Sequence, residues 1–200
     1  MNEQINQIFE FWFGTETDEL QIIAKQSGLW WGKDANTDDS IKNKFGAIYQ
    51  SAIDESLIDW LRSARGQLAL IILLDQFSRV IYRDTADAFA QDSKALRIVL
   101  EGINNNVDLD LRPIERVFYY MPMEHSEDIE IQSQCVRYYQ KLVGVVPDTT
   151  KNEFQGYLQF AEKHRVIIER FNRFPHRNKI LNRISSAEEL EFLTQPGSSF

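Results

Sequence analysis

Three polar segments interrupt an otherwise apolar-patterned chain, and they carry the side chains that could do chemistry. The first is Leu73-Leu-Asp-Gln-Phe-Ser-Arg79, continuing through Tyr82-Arg83-Asp84. Asp75 and Arg79 stand four residues apart, the spacing that places opposite charges side by side on a helix. The second is Tyr120-Met-Pro-Met-Glu-His-Ser-Glu-Asp128, where Glu124, His125, Glu127 and Asp128 crowd four titratable groups into five residues. Such a set suits general acid–base work or metal ligation. The third contains His164-Arg165 and Arg170-Phe-Asn-Arg-Phe-Pro-His-Arg-Asn178. Residues 162–183 hold seven basic and two acidic side chains. Guanidinium groups at Arg170, Arg173 and Arg177, with His176, can take a carboxylate or a phosphate bidentately.

Each segment also has a purely structural explanation. Asp75 and Arg79 would form a half-buried ion pair, because such side chains are rarely buried alone. The acids around Ser126 would dress a helix N-terminus, where carboxylates meet the positive end of the dipole. His164 lies on the inward side of its helix and would be a satisfied core histidine. Paired Glu-x-x-His motifs on neighbouring helices are missing, so a metal site is not expected. The electrostatics favour a cleft in which segments 124–130 and 165–177 face one another, with Arg170 or Arg173 bonded to one of the carboxylates. His125, flanked by Glu124 and Glu127, is expected at its mouth with its charged form favoured by them. Phe200 is expected to pack on the domain with its carboxylate near an arginine.

The elements that must position these groups read as helices throughout. Ile5, Ile8, Phe9 and Trp12 make one apolar face ending near Gly14, and 18–25 suggests a short second helix. Residues 28–36, with Trp30 and Trp31, read as a loop, after which Thr37 or Asp38 caps a helix bearing Ile41, Phe45 and Tyr49. Leu57, Trp60 and Leu61 mark a short helix that Gly66 separates from the next. Leu68–Leu74 is apolar on every side and predicts the buried centre. Thr85 is expected to cap a long helix through Ile103. Pro113 suits the first position of a helix that Pro122 should stop. Ser126 then caps a helix ending at Gly144; a long helix spans 152–171, and Ser186 with Glu189 forms a capping box for the last. No period-2 alternation with hairpin turns is present, so the fold is expected to be all-α.

The 200 residues, 43% apolar with 13 Phe, 7 Tyr and 4 Trp, suffice for one well-filled domain over 1–200 and exclude disorder. A net charge of −8 argues against nucleic acid and anionic membranes as partners. The longest apolar run, Leu68–Leu74, is far short of the roughly 20 residues of a membrane span. The N-terminus shows no secretory signal, and Cys135 alone allows no internal disulfide. A cytoplasmic location is expected.

The motifs FxFWFG from Phe9, LLDQFxRxIYRxTxxAF from Leu73, YYMPMEHSEDxxxQ from Tyr119 and HRxIIxRFxRFPHRNxxL from His164 together resemble an uncharacterised bacterial family, domain of unknown function 924. The resemblance runs from about Phe9 to Phe200 and implies a tetratricopeptide-like stack of antiparallel helical hairpins. Ser78 and Val80 stand where the family usually has proline and asparagine; Asn172 and Asn182 replace glycines. Asparagine tolerates left-handed backbone, so those turns should persist. The family implies no reaction and no cofactor. The expected function is the first of two, with a purely structural core network as a third reading. One is a binding module whose concave face, lined by Asp75, Arg79, Arg83, Glu127, Asp128, Arg170, Arg173, His176 and Arg177, holds an anionic peptide or small ligand. The other is a small-molecule enzyme using Glu124, His125 and His164 for proton transfer. A closed cavity in which these groups converge would favour the enzyme; a flat or fully ion-paired surface would favour the module.

Overall fold

The computed structural model describes residues 2–199, so the expectation for Phe200 lies outside the described residues. Among them there are helices and no strands: α1 (Glu3–Phe13), α2 (Glu19–Trp31), α3 (Ala35–Ile53), α4 (Ala64–Ile71), α5 (Ser78–Ile81), α6 (Asp92–Asn104), α7 (Pro113–Glu124), α8 (Ile129–Val145), α9 (Lys151–Phe171) and α10 (Ala187–Phe192). Between α4 and α5 the chain does not break; Ile72–Phe77 winds on as a π-helical segment. No described helix is long and apolar enough to cross a membrane.

The centre lies where the apolar run predicts it. Every residue of Leu68–Leu74 is at most 5% exposed. The α4–π–α5 rod packs against α1, α3, α6 and α7, while α8 and α9 extend the stack from α7. An aromatic cluster seals α1 to this rod, with the Trp12 ring 5.5 Å from Phe77 and 5.4 Å from Phe118 in edge-to-face geometry.

Local signals fail where packing outweighs them. Gly28 does not end α2, and Trp30 and Trp31 are helical rather than in a loop. The continued helix lets Trp30 Nε1 donate to Trp12 O at 2.8 Å and buries its ring. Asp34, three residues ahead of the expected cap, accepts from Thr37 N and starts α3. Gly66 lies inside α4, capped by Ser63. The helix expected from Thr85 is divided into a 3-10 turn, Ala86–Phe89, and α6. Asp128, not Ser126, caps α8, which passes Gly144 and ends at Val145. Pro122 sits inside α7, which winds on to Glu124. Removal of one N–H costs less here than exposing Met121 and Met123, both buried. The asparagine turns do persist, at φ 55° for Asn172 and 52° for Asn182.

One close approach fixes how α6 meets α7. A Cβ at Gly102 would overlap the Tyr119 hydroxyl and the Gln67 amide oxygen, which hydrogen-bond at 2.6 Å. Alanine normally stabilises a helix by about 1 kcal/mol over glycine. Gly102→Ala is expected to reverse that sign, lowering the unfolding free energy by about 1–3 kcal/mol in urea titrations. Removing the clashing hydroxyl with Tyr119→Phe in the same chain should recover part of the loss. A Gly102→Ala protein more stable than the wild type contradicts this packing.

Candidate functional site

Asp75 is placed by the π segment, whose widened turn shifts the side chains after it around the helix axis. Ser78, where the family pattern usually has proline, lies directly after it. Its hydroxyl is 3.0 Å from Asp75 O and 3.2 Å from Ala88 O, and its single proton serves one of them at a time. The Asp75 side chain has no exposure, yet it is surrounded by donors. His125 Nδ1 lies 2.7 Å from Oδ1, Gln76 Nε2 donates to Oδ2 at 2.6 Å, and an Arg79 nitrogen lies 3.7 Å away. Burial alone would push Asp75 up, but His125, Arg79 and Gln76 together hold it below the ordinary carboxylate range. An ionised carboxylate only accepts, so the proton between the two groups belongs to His125 Nδ1. Nε2 is then the nitrogen left for a ligand.

The continuation of α7 past Pro122 delivers the second pair. Glu124 is buried, with Oε1 3.1 Å from His164 Nδ1 of α9, and the same nitrogen is 2.9 Å from Phe160 O. Burial pushes Glu124 up to about 8; the Tyr139 hydroxyl pulls the other way and Asp75 adds to the rise. Burial also pushes His164 down, to about 3, against the Phe160 hydrogen bond, so this ring is neutral at pH 7. Glu124 and His164 are therefore mainly an acid and a neutral imidazole rather than an ion pair.

Two arginines approach from either side. Arg79 makes contacts to Asp92 of 2.7 and 2.9 Å and also donates to Ala88 O. Arg177 donates to His125 O at 3.1 Å and stands 3.6 Å from Asp92. Its guanidinium lies 4.7 Å from the Phe89 ring centre and 4.5 Å from that of Phe174. Arg177 Nε is buried and has no hydrogen-bond partner among the described residues. Burial, then the nearby Arg79 charge, lowers Arg177 to about 10, and burial with Arg177 lowers His176 to about 4. At Arg177 burial and Arg79 together outweigh the opposing pull of Asp92, Glu127 and Asp75.

Glu124, His125, His164, His176, Arg79 and Arg177 line a cavity of about 550 Å³, with Arg83, Lys33, Asp38 and Asp84 also on its wall. Val80 lines it too, presenting a purely apolar side chain where the family usually has asparagine. Among the described residues no group of three or more His, Cys, Asp or Glu side chains is arranged to hold a metal ion.

The charged segments do meet, but through other residues than expected. Phe174 N donates to Glu127 at 2.8 Å, and Arg183 grips the same carboxylate at 2.6 and 2.9 Å. Arg170 and Arg173 do not reach the 124–130 carboxylates; they bond Glu188 and Glu189 and fasten α10. Asp128 is occupied as the α8 cap. Arg83 is held bidentately by Asp38 at 2.8 Å twice. His125 finds its partner in Asp75, not in the neighbouring acids. Nothing in the spacing of 75 and 125 pairs them; only a buried lone acid on an apolar helix signals that a donor must arrive.

Glu124 has a measurable signature. Its carboxyl ionises near 4.5 when unfolded and at about 8 when folded. A raised folded value means stability is complete at acid pH and falls as pH rises between those values, at about 1.4 kcal/mol per pH unit. Glu124→Gln has no proton to lose, so its stability relative to wild type should climb from pH 5 to pH 8 by a few kcal/mol. A difference in Tm that stays constant over that range contradicts a protonated Glu124.

The family described as "Bacterial protein of unknown function (DUF924)" matches residues 8–197. No curated protein matches the chain. Its structure is similar to that of ATU0120, a protein of unknown function from Agrobacterium tumefaciens, with a TM-score of 0.79 and 35% identity over 94% of this chain and 96% of that one. With nearly its whole length matched, the chain belongs to this bacterial DUF924 family of unknown function.

Proposed function

We propose that the protein is a small-molecule enzyme that performs acid–base chemistry on an anionic substrate in the cavity of about 550 Å³. The observation that carries this is the 2.7 Å contact between His125, which lines the cavity with Glu124, and the buried Asp75 behind it. A buried carboxylate fixes the tautomer and aim of His125, and Nε2 acts as the base. Glu124, kept protonated by burial, is the acid. Arg177 receives the substrate's negative charge, and Arg79 positions Asp75 and Asp92. Neither serine nor cysteine lines the cavity among the described residues. Cys135 is buried with its thiol pushed further up, which makes it a poor nucleophile. Thr37, which does line it, donates its hydroxyl to Asp34 at 2.8 Å, so the chemistry supported is direct proton transfer or activation of water.

A peptide-binding face is less well supported. The arginines that would line it, Arg83, Arg170 and Arg173, are each closed by a carboxylate, while Arg177, whose Nε has no hydrogen-bond partner among the described residues, lines a cavity of a size suited to a small molecule. A cytoplasmic location fits the acidic composition and the single cysteine.

Calorimetric titration with inorganic phosphate and acetate tests the site. Millimolar binding is expected, weakened about tenfold or more by Arg177→Met and unchanged by Arg173→Met. Chemistry is read as deuterium uptake from D2O into a panel of oxo acids, hydroxy acids and sugar phosphates. His125→Asn should slow any exchange by about 100-fold. Absence of anion binding, or binding indifferent to Arg177, overturns the proposal; anion binding with exchange indifferent to His125 leaves only a binding protein.

A further inference from the structure

A second cavity, of about 450 Å³, opens beside the first. Trp31, Met121, Glu124 and Phe160 belong to the walls of both, so the two volumes share a boundary on which Glu124 sits. Their chemistry differs. The first holds Arg79, Arg177 and the histidines. Among the described residues the second has no Lys, Arg or His on its wall; Ile23 and Tyr157 line it, and Glu153 adds a negative charge. Such a chamber repels an anion, and most of its wall is apolar.

Gly156 gives the chamber part of its width. It lies in the interior of α9, where glycine costs about 1 kcal/mol against alanine. No atom lies within 4 Å of where its Cβ would stand, so no close backbone approach accounts for it. The residue faces open space on the chamber wall. Trp31 and Phe160, 51% and 52% exposed, flank the boundary and leave two large apolar surfaces without full cover.

We propose that the second cavity is the apolar half of the same site and takes the hydrocarbon chain of an amphipathic monoanion whose charged head lies at Arg177. The proposal rests on the acid–base reading of the first cavity and adds the substrate class: an acyl or alkyl acid rather than a small polar metabolite. Charge fixes the orientation, since Arg177 attracts the head and Glu153 excludes it from the second chamber. Glu124, uncharged at neutral pH, lies along the chain without an ionic penalty and close to the bonds nearest the head.

Straight-chain carboxylates from acetate to decanoate, titrated below their micelle concentrations at pH 7, test this. Affinity is expected to rise about two- to fourfold per methylene until the chamber is full. Gly156→Leu fills it from α9 and improves helix propensity; Ser27→Leu blocks it from α2. Both should flatten the chain-length dependence by tenfold or more at decanoate while leaving acetate affinity unchanged. Acetate binding with no dependence on chain length overturns the inference alone. So does a dependence that both variants leave intact, because the chain then lies elsewhere. Failure of both phosphate and acetate to bind the wild type defeats the underlying functional reading and this inference with it.

Discussion

A carboxylate with no solvent exposure, carried by the most apolar helix of the chain, is the constraint on which the site depends. An unpaired charge at Asp75 would cost several kcal/mol, so the fold must bring donors to it. They come from three directions. Gln76 follows on the same π segment, Arg79 lies one turn on, and His125 arrives from the end of α7. The last requires α7 to run past Pro122. Arg177 then holds the His125 carbonyl, and Glu127 captures Phe174 N and Arg183, so the chain after α9 is folded back over the same point. Satisfying one buried acid thus organises the rod, α7 and the segment that closes the cavity.

The same burial sets the electrostatics. Burial first, and then the nearby Arg177 and His125 charges, disfavour further positive charge and keep His164 and His176 neutral at pH 7. Glu124 lies far enough inside to remain an acid. Opposite consequences for a carboxyl and an imidazole follow from one cause, since burial penalises whichever form is charged. Asp75 escapes because its donors outweigh the burial. The site therefore combines an oriented imidazole, a neutral carboxyl and a buried guanidinium around one cavity.

The helical fold was legible because its signals repeat: the apolar faces, the Pro113 start, the Ser186–Glu189 box and the asparagine turns all recur in the structure. Boundaries set by single residues were not. Gly28 and Pro122 are local breakers overruled by the burial of Trp30, Met121 and Met123, which depends on distant partners. The site was legible as three segments and illegible as pairs. Segment composition could show that Arg170, Arg173 and Arg177 differ from their surroundings. It could not show that two of them fasten α10 while the third turns inward, because Glu188 and Glu189 look like ordinary cap acids. The Asp75–His125 pair spans fifty positions, and a charge pattern read along the chain contains no such distance.

Nitrogen NMR of the His125 ring tests the central claim most directly. For the neutral ring, the account predicts a proton on Nδ1, a bare Nε2 and a strongly deshielded Nδ1–H resonance. Asp75→Asn should remove that resonance while His164 signals persist. A neutral His125 protonated on Nε2, or a ring that exchanges freely between both tautomers in the wild type, would contradict it.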